Sequence, residues 1–208
     1  MPPILVHLPH DATVIPTDAR ADFLLSAEEL QAESLRLTDA HTAELYADGL
    51  EPVDLIRAEV SRLVVDTERF ADDAQEPCAK VGMGATYVRT ADGRPLRALT
   101  PERRAELMTR HYWPHHRALE EAAARLARFD RCVILDAHSY PTGPLPTQLA
   151  FGASPEIGIG TQPGHTPRAL RDLAVDFFRA HGYTVRVDVP FSGAMVPNNC
   201  FGRDPRLW

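Results

Sequence analysis

The segment Val133-Ile134-Leu135-Asp136-Ala137-His138-Ser139 joins an apolar run directly to polar side chains. Its large and branched residues, preceded by Cys132, are typical of a buried parallel strand. Because an open α/β sheet places its chemistry at the carboxyl ends of its strands, Asp136, His138 and Ser139 are candidate site residues. Imidazole is a common metal ligand and proton carrier, and a nearby carboxylate can fix its tautomer. The alternative is that these residues only cap the following loop.

The composition is that of a globular protein of one domain. The 208 residues are 44% hydrophobic and 25% charged, so we expect residues 1–208 to bury one core. A net charge of −7 argues against nucleic acid or an anionic membrane as the partner, and no apolar run is long enough to span a bilayer. The three separated cysteines and the lack of a signal sequence predict a cytoplasmic location.

Two further segments predict strands that end in polar residues. The apolar segment 4–8 would place His10 just past a strand end. Segment 60–66 is the second strand, and Arg62 within it is costly unless its charge is paired or faces a cavity. Arg69 follows the same strand end. The two arginines predict binding of a carboxylate, which a guanidinium holds in bidentate fashion.

Capping residues mark the helix starts. Ser26 followed by Glu29 has the form of a capping box. Thr38-Asp39 predicts a helix that reaches about residue 46, in which Asp39 could be an ordinary first-turn acid. Another helix begins at Thr100-Pro101 and cannot pass Pro114 without a kink.

His116 lies on the apolar stripe of that last helix. A histidine in such a position is usually a satisfied core residue, with a place in the site as the alternative.

The remaining segments complete an alternation of strands and helices. Segment 78–96 predicts a loop and a hairpin with a strand at 86–88, segment 157–161 predicts a short strand or a turn, and segment 185–189 predicts a strand. Thr166-Pro167 opens a helix that stops at Gly182. The pattern indicates an α/β fold with a mostly parallel or mixed sheet. The loop after residue 189 would add a wall to the polar residues at the strand ends.

Together these residues resemble the N-formylglutamate amidohydrolase family, zinc-dependent hydrolases similar in fold to zinc carboxypeptidases. The matching segments are short, but they run in order from Leu8 almost to the C-terminus. They are residues 9–10, 38–39, 45–46, 61–70, 112–116, 136–139, 159–161 and 190–193.

The resemblance implies a metal-dependent amidohydrolase. The fold would be a three-layer αβα arrangement of the phosphorylase/hydrolase-like, zinc peptidase-like kind. Zn²⁺ or another divalent metal would be bound by His10, His138 and a carboxylate, assigned to Asp39. The metal would polarise the formyl carbonyl and lower the pKa of its bound water to about 7. Arg62 and Arg69 would hold the carboxylates of an acidic N-acyl amino acid such as N-formylglutamate.

Further roles follow from the same resemblance. Asp136 would orient His138, and Ser192 and Gly193 would line the substrate pocket. The protein would be a monomer or small homo-oligomer that acts in histidine degradation.

Two departures from the family pattern matter. Some relatives have Asn where this chain has Glu68, which leaves open a substrate other than N-formylglutamate itself. Relatives also continue past the position of Trp208 into a strand with a Glu, the base by analogy with carboxypeptidases. Either the chain is truncated, which predicts slow turnover, or the base lies elsewhere, with Glu68 and His116 as candidates.

Other classes of function stay open at this point. A hydrolase of another amide, an ester or a phosphoester would keep the metal and change the pocket. A non-catalytic metal- or ligand-binding relative would keep the fold without turnover. A serine hydrolase is disfavoured, because Ser192-Gly193 lacks the preceding glycine of a nucleophile elbow.

Overall fold

A parallel three-stranded sheet positions the polar strand ends. The computed structural model describes residues 2–49, 54–128, 130–141 and 154–208. Strand β1 (Ile4–Leu8) lies between β2 (Asp54–Arg57) and β3 (Val133–Asp136) and pairs with both in parallel. The strands predicted at 4–8 and 133–135 are therefore confirmed. Because the three strands run the same way, their carboxyl ends meet at one edge of the sheet.

A second, two-stranded parallel sheet is formed by β4 (Ile157–Ile159) and β5 (Val185–Val187). The helix Arg168–Ala180 connects them, and its prediction is confirmed. The predicted strand 185–189 stops at Val187. Asp188 has a left-handed backbone, with φ of 55°, and its carboxylate accepts the backbone N–H of Thr161 at 2.8 Å.

The other helices follow the predicted caps closely. Ser26 and Glu29 form the reciprocal capping box, and Thr100 caps its helix by accepting the N–H of Arg103. None of the helices in the described ranges has the length and apolarity needed to span a bilayer. The helices are α1 (Thr17–Arg20), α2 (Ala27–Leu37), α3 (Thr42–Tyr46), a 3₁₀ helix (Pro77–Val81), α4 (Pro101–Leu107), a π-helix (Met108–Tyr112), α5 (Trp113–Leu126) and α6 (Arg168–Ala180).

The π-helix accommodates Pro114. Proline lacks an N–H, and in an α-helix its ring clashes with the carbonyl four residues earlier. The wider π turn before Pro114 relieves this clash. Beyond this point, the fully buried Leu119 and Ala123 of α5 pack in one cluster with Leu5 and Ile134 of the sheet. The apolar face predicted for this helix is confirmed.

The strand predicted at 60–66 is wrong. This segment makes turns in which Val64 and Val65 donate backbone N–H groups to the carbonyl of Ser61, at 2.8 and 3.3 Å. Its apolar residues are buried in the core although they are not in a sheet. An apolar run predicts that a segment is buried, but it does not predict that the segment pairs in a sheet. Here the backbone hydrogen bonds are made within the segment.

Three smaller differences have equally local causes. The helix predicted from Thr38-Asp39 begins only at Thr42, because Thr38 ends α2 instead. The predicted strand 86–88 is absent, because Val88 donates its N–H to the carbonyl of Gly82. Strand β2 has no counterpart in the sequence predictions. The α/β class with parallel strand pairing is confirmed.

We expect the Leu119→Ala substitution to lower the free energy of unfolding by about 2–5 kcal/mol, because it leaves a cavity between α5 and the sheet. Leu173→Ala is the matched control, since Leu173 is 67% exposed on α6 and should change stability by only about 0.5 kcal/mol. Urea unfolding of the three proteins measures both effects. Equal losses would show that α5 does not form the core described above.

Candidate metal centre

Three predicted ligands come together at the carboxyl edge of the parallel sheet. His10 follows β1, His138 follows β3, and Asp39 lies in the loop after α2. Their potential ligand atoms all lie within 4.8 Å of one another. Asp39 Oδ2 is 2.8 Å from His138 Nδ1 and 3.8 Å from His10 Nδ1. We call these three residues the His10 group.

Asp39 is not the first-turn acid that the sequence allowed as an alternative. Its backbone N–H donates to the carbonyl of His10 at 3.0 Å, and its carboxylate also accepts the N–H of Ser139 at 3.3 Å. Burial alone would raise its pKa, but the neighbouring imidazoles of His10 and His138 outweigh burial and lower it. Asp39 is therefore an ionised acceptor inside the cluster.

A second carboxylate, Asp66, orients His10. Asp66 is fully buried, and its Oδ1 lies 2.8 Å from His10 Nε2. With Nε2 held in this way, Nδ1 is the ring nitrogen that faces the His10 group. Such a carboxylate behind a histidine fixes its tautomer and its direction. The sequence prediction placed Asp66 among the polar strand-end residues but gave it no role of its own.

Arg62 is committed to Asp66. Its Nε and Nη2 donate to Asp66 Oδ2 at 3.1 and 2.8 Å, and the hydroxyl of Tyr87 donates to the same oxygen at 2.7 Å. Burial would raise the pKa of Asp66, but the Arg62 guanidinium holds it well below its usual range. The costly buried arginine is thus paired. The four-residue spacing of Arg62 and Asp66 was the signal available in the sequence.

Arg69 lies beside the same carboxylate, but farther from it than Arg62 does. Its Nε is 3.6 Å from Asp66 Oδ2, and its side chain is 24% exposed. Among the described residues, this Nε is buried and has no hydrogen-bond partner. A bound carboxylate could therefore reach only the exposed part of the Arg69 guanidinium.

Glu68 contacts the two histidines of the His10 group through different oxygens. Its Oε1 lies 3.2 Å from His138 Nε2, and its Oε2 lies 3.6 Å from His10 Nδ1. The backbone N–H of Glu68 donates to Asp66 Oδ1 at 3.0 Å, which ties the residue to the buried network.

Asp136 contacts His138 less closely than it contacts His7. Its Oδ1 lies 2.8 Å from His7 Nδ1 and 3.5 Å from His138 Nε2. Its Oδ2 accepts the backbone N–H of Met195 at 2.9 Å. The other ring nitrogen of His7 lies 2.8 Å from His115 Nε2. Sequence reasoning missed His7 and His115, although His7 lies in the same strand that leads to His10.

His138 stands between carboxylates. Burial would lower its pKa, but Glu68, Asp136 and Asp39 raise it well above the usual value. The same negative surroundings that favour a proton on this ring also favour a bound cation.

His116 lies behind Glu68. Its Nε2 donates to the carbonyl of Thr67 at 2.9 Å, and its ring centroid is 4.3 Å from that of Tyr112. Burial lowers the pKa of His116 to about 4, so the ring is neutral at pH 7. The structure brings it against the backbone that carries Glu68 rather than among the His10 group.

The loop after β5 reaches the site through Met195. Ser192 is exposed, and Gly193 packs its carbonyl so closely against Gly160 that a Cβ at residue 160 would lie 2.3 Å from that oxygen. Gly160 is therefore required for this loop to close on the strand β4.

Comparisons with known proteins identify a family and related folds. The profile of the N-formylglutamate amidohydrolase family matches residues 2–206, and no curated protein matches the chain. A crystal structure of N-formylglutamate amidohydrolase from Ralstonia eutropha JMP134 is similar with a TM-score of 0.77 and 23% identity, over 98% of this chain and 78% of that one. A gene product of Agrobacterium tumefaciens is similar with a TM-score of 0.65 and 20% identity, over 91% and 69%. Identities this low show a shared fold.

We expect the metal-free protein to lose stability as the pH falls from about 6.5 towards 4. The unfolded chain takes up a proton at His116 near pH 6.5, whereas the folded chain does so only near pH 4. Between these values the free energy of unfolding must fall. His116→Gln keeps an amide donor for Thr67 and should reduce this loss by on the order of 2 kcal/mol. Urea unfolding of both proteins at several pH values measures this difference. The same pH dependence in the wild type and in His116→Gln would contradict a neutral His116 ring.

Proposed function

The chain belongs to the N-formylglutamate amidohydrolase family, and from this membership we propose that its strand-end cleft hydrolyses the N-formyl, or a similar N-acyl, amide of an acidic amino acid. The three-layer, zinc peptidase-like fold is part of the proposal. The observation that carries it is the contact of Glu68 with both histidines of the His10 group, which puts a proton acceptor at a cation site. Arg69 lies beside Asp66, the carboxylate that holds His10.

The residues of the His10 group fit zinc. Two imidazoles and one carboxylate are the donor set of catalytic rather than structural zinc sites. His10 Nδ1, Asp39 and His138 Nδ1 would hold the ion. When bound, zinc supplies Lewis-acid polarisation of a carbonyl and activation of water at neutral pH.

Arg69 supplies the selectivity for an acidic substrate. Its side chain is 24% exposed beside Asp66, and the exposed part of the guanidinium would meet a substrate carboxylate through a charge-assisted bond. Arg62 contributes indirectly, because its donors already hold Asp66, which in turn holds His10. Of the two arginines predicted to bind the substrate, Arg69 would bind its carboxylate, and Arg62 would position His10 through Asp66.

Glu68 is the base in this proposal. Its carboxylate lies at hydrogen-bond distance from His138 and beside His10, so water at the His10 group would be within its reach. Glu68 accepts a proton from the water that adds to the formyl carbon. It then delivers that proton to the amide nitrogen as the C–N bond breaks, which releases formate and the free amino acid. A base at this position requires no residue beyond Trp208.

We expect the zinc-loaded protein to release formate from N-formylglutamate, and we expect Glu68→Gln to lower kcat by about a hundredfold to ten-thousandfold. Glu44→Gln is the control, since Glu44 is an exposed glutamate on α3 and its loss should leave kcat unchanged. Formate release and bound zinc are measured on the same samples. A wild-type protein that binds zinc and releases no formate would overturn the proposed activity. A Glu68→Gln variant with an unimpaired rate would remove Glu68 as the base.

We expect Arg69→Met to raise KM for N-formylglutamate by roughly tenfold to a hundredfold, the value of one charge-assisted contact. The change should be much smaller for N-formylalanine, which lacks the side-chain carboxylate. Arg94→Met, at an arginine that is 51% exposed, controls for a general change in charge. Equal effects of Arg69→Met on both substrates would show that Arg69 has only a structural role.

A further inference from the structure

We propose that His7, Glu68 and Asp136 form a second divalent-cation site, separated from the His10 group by the ring of His138. We call these residues the His7 group. Their potential ligand atoms also lie within 4.8 Å of one another. His7 is fully buried, while the side chains of Glu68 and Asp136 are 14% and 12% exposed, so an ion could enter from the carboxylate side.

The imidazole of His138 lies between the two groups. Its Nδ1 is 2.8 Å from Asp39 in the His10 group, and its Nε2 is 3.2 Å from Glu68 and 3.5 Å from Asp136. Glu68 reaches both histidines of the His10 group, with Oε1 beside His138 Nε2 and Oε2 3.6 Å from His10 Nδ1. The two groups are therefore adjacent, and they meet different nitrogens of the His138 ring.

His7 is held in the same way as His10. Asp66 binds the Nε2 of His10 and leaves its Nδ1 facing the cluster, and His115 binds the Nε2 of His7 and leaves its Nδ1 facing Asp136. Without an ion, His115 can donate to His7 while His7 donates to Asp136. With an ion, His7 loses the Nδ1 proton and donates through Nε2 to His115. This second hydrogen bond is the usual support of a metal-binding histidine.

Charge favours an ion at this position. Within the described residues, Asp66 is paired with Arg62, whereas the ion pairs of Glu68 and Asp136 are made with histidines alone. No arginine or lysine of the described residues forms an ion pair with either of these two carboxylates. One imidazole and two carboxylates form a donor set that suits Mn²⁺ as well as Zn²⁺.

An ion at the His7 group would compete with the reaction proposed above. A Glu68 oxygen that is bound to a metal cannot accept a proton, so the form with only the His10 group loaded would be the active one. This consequence rests on the proposed function, but the existence of the second site does not. The test therefore measures bound metal and leaves activity aside.

The test is equilibrium dialysis of the metal-free full chain against Zn²⁺ and, separately, Mn²⁺, with elemental analysis of bound metal. The wild type should bind two ions per chain at saturation. His7→Asn should bind one, and Asp39→Asn, which removes a ligand of the His10 group, should also bind one. His165→Asn should still bind two, since His165 is a buried histidine held by Leu207 and Gly202 instead of by carboxylates.

Because His7 is fully buried, Glu68→Gln provides a second variant that removes a ligand from a partly exposed position. It should also bind one ion, and circular dichroism should show that both variants are folded. A wild-type plateau at one ion that Asp39→Asn abolishes would overturn the second site and leave the His10 group intact. Two ions retained in both His7→Asn and Glu68→Gln would also overturn it. A plateau at one ion that Asp39→Asn does not affect would instead contradict the metal site of the proposed function.

Discussion

The buried carboxylate of Asp66 is the interaction on which the site depends. It is inaccessible to solvent and is held by Arg62, Tyr87 and the backbone of Glu68, while it binds His10 in turn. A buried, unpaired charge would cost several kcal/mol, so these groups must be present together. The network thereby joins an irregular segment of the chain to the end of β1 and sets the direction in which His10 faces.

Three histidines at the site each have a ring nitrogen within hydrogen-bond distance of a defined partner. Asp66 holds His10, His115 holds His7, and Asp39 holds His138. Buried polar groups are stable only when their hydrogen bonds are satisfied. The outcome is a set of imidazoles whose nitrogens face neighbouring carboxylates, which is what a cation site requires. The surrounding carboxylates add the negative charge that such a site needs.

Much of the frame could be predicted from local patterns. The apolar runs that end at Leu8 and Leu135 identified two strands of the central sheet. The caps at Ser26 and Thr100 and the pair Thr166-Pro167 identified helix starts. Because parallel strands share an edge, the residues after those two runs were placed together correctly. The segment 60–66 was misread because burial makes a run apolar whether or not it pairs in a sheet.

The sequence by itself determined the α/β class, the strand ends that carry His10 and His138, and the family resemblance, because each is written in local periodicity or in short ordered motifs. Only the tertiary structure decided that Asp39 faces the two histidines, that Arg62 serves Asp66, and that His7 contacts Asp136. His7 and Asp136 are 129 positions apart. Contacts between residues so distant depend on how strands and loops pack, which no local pattern encodes.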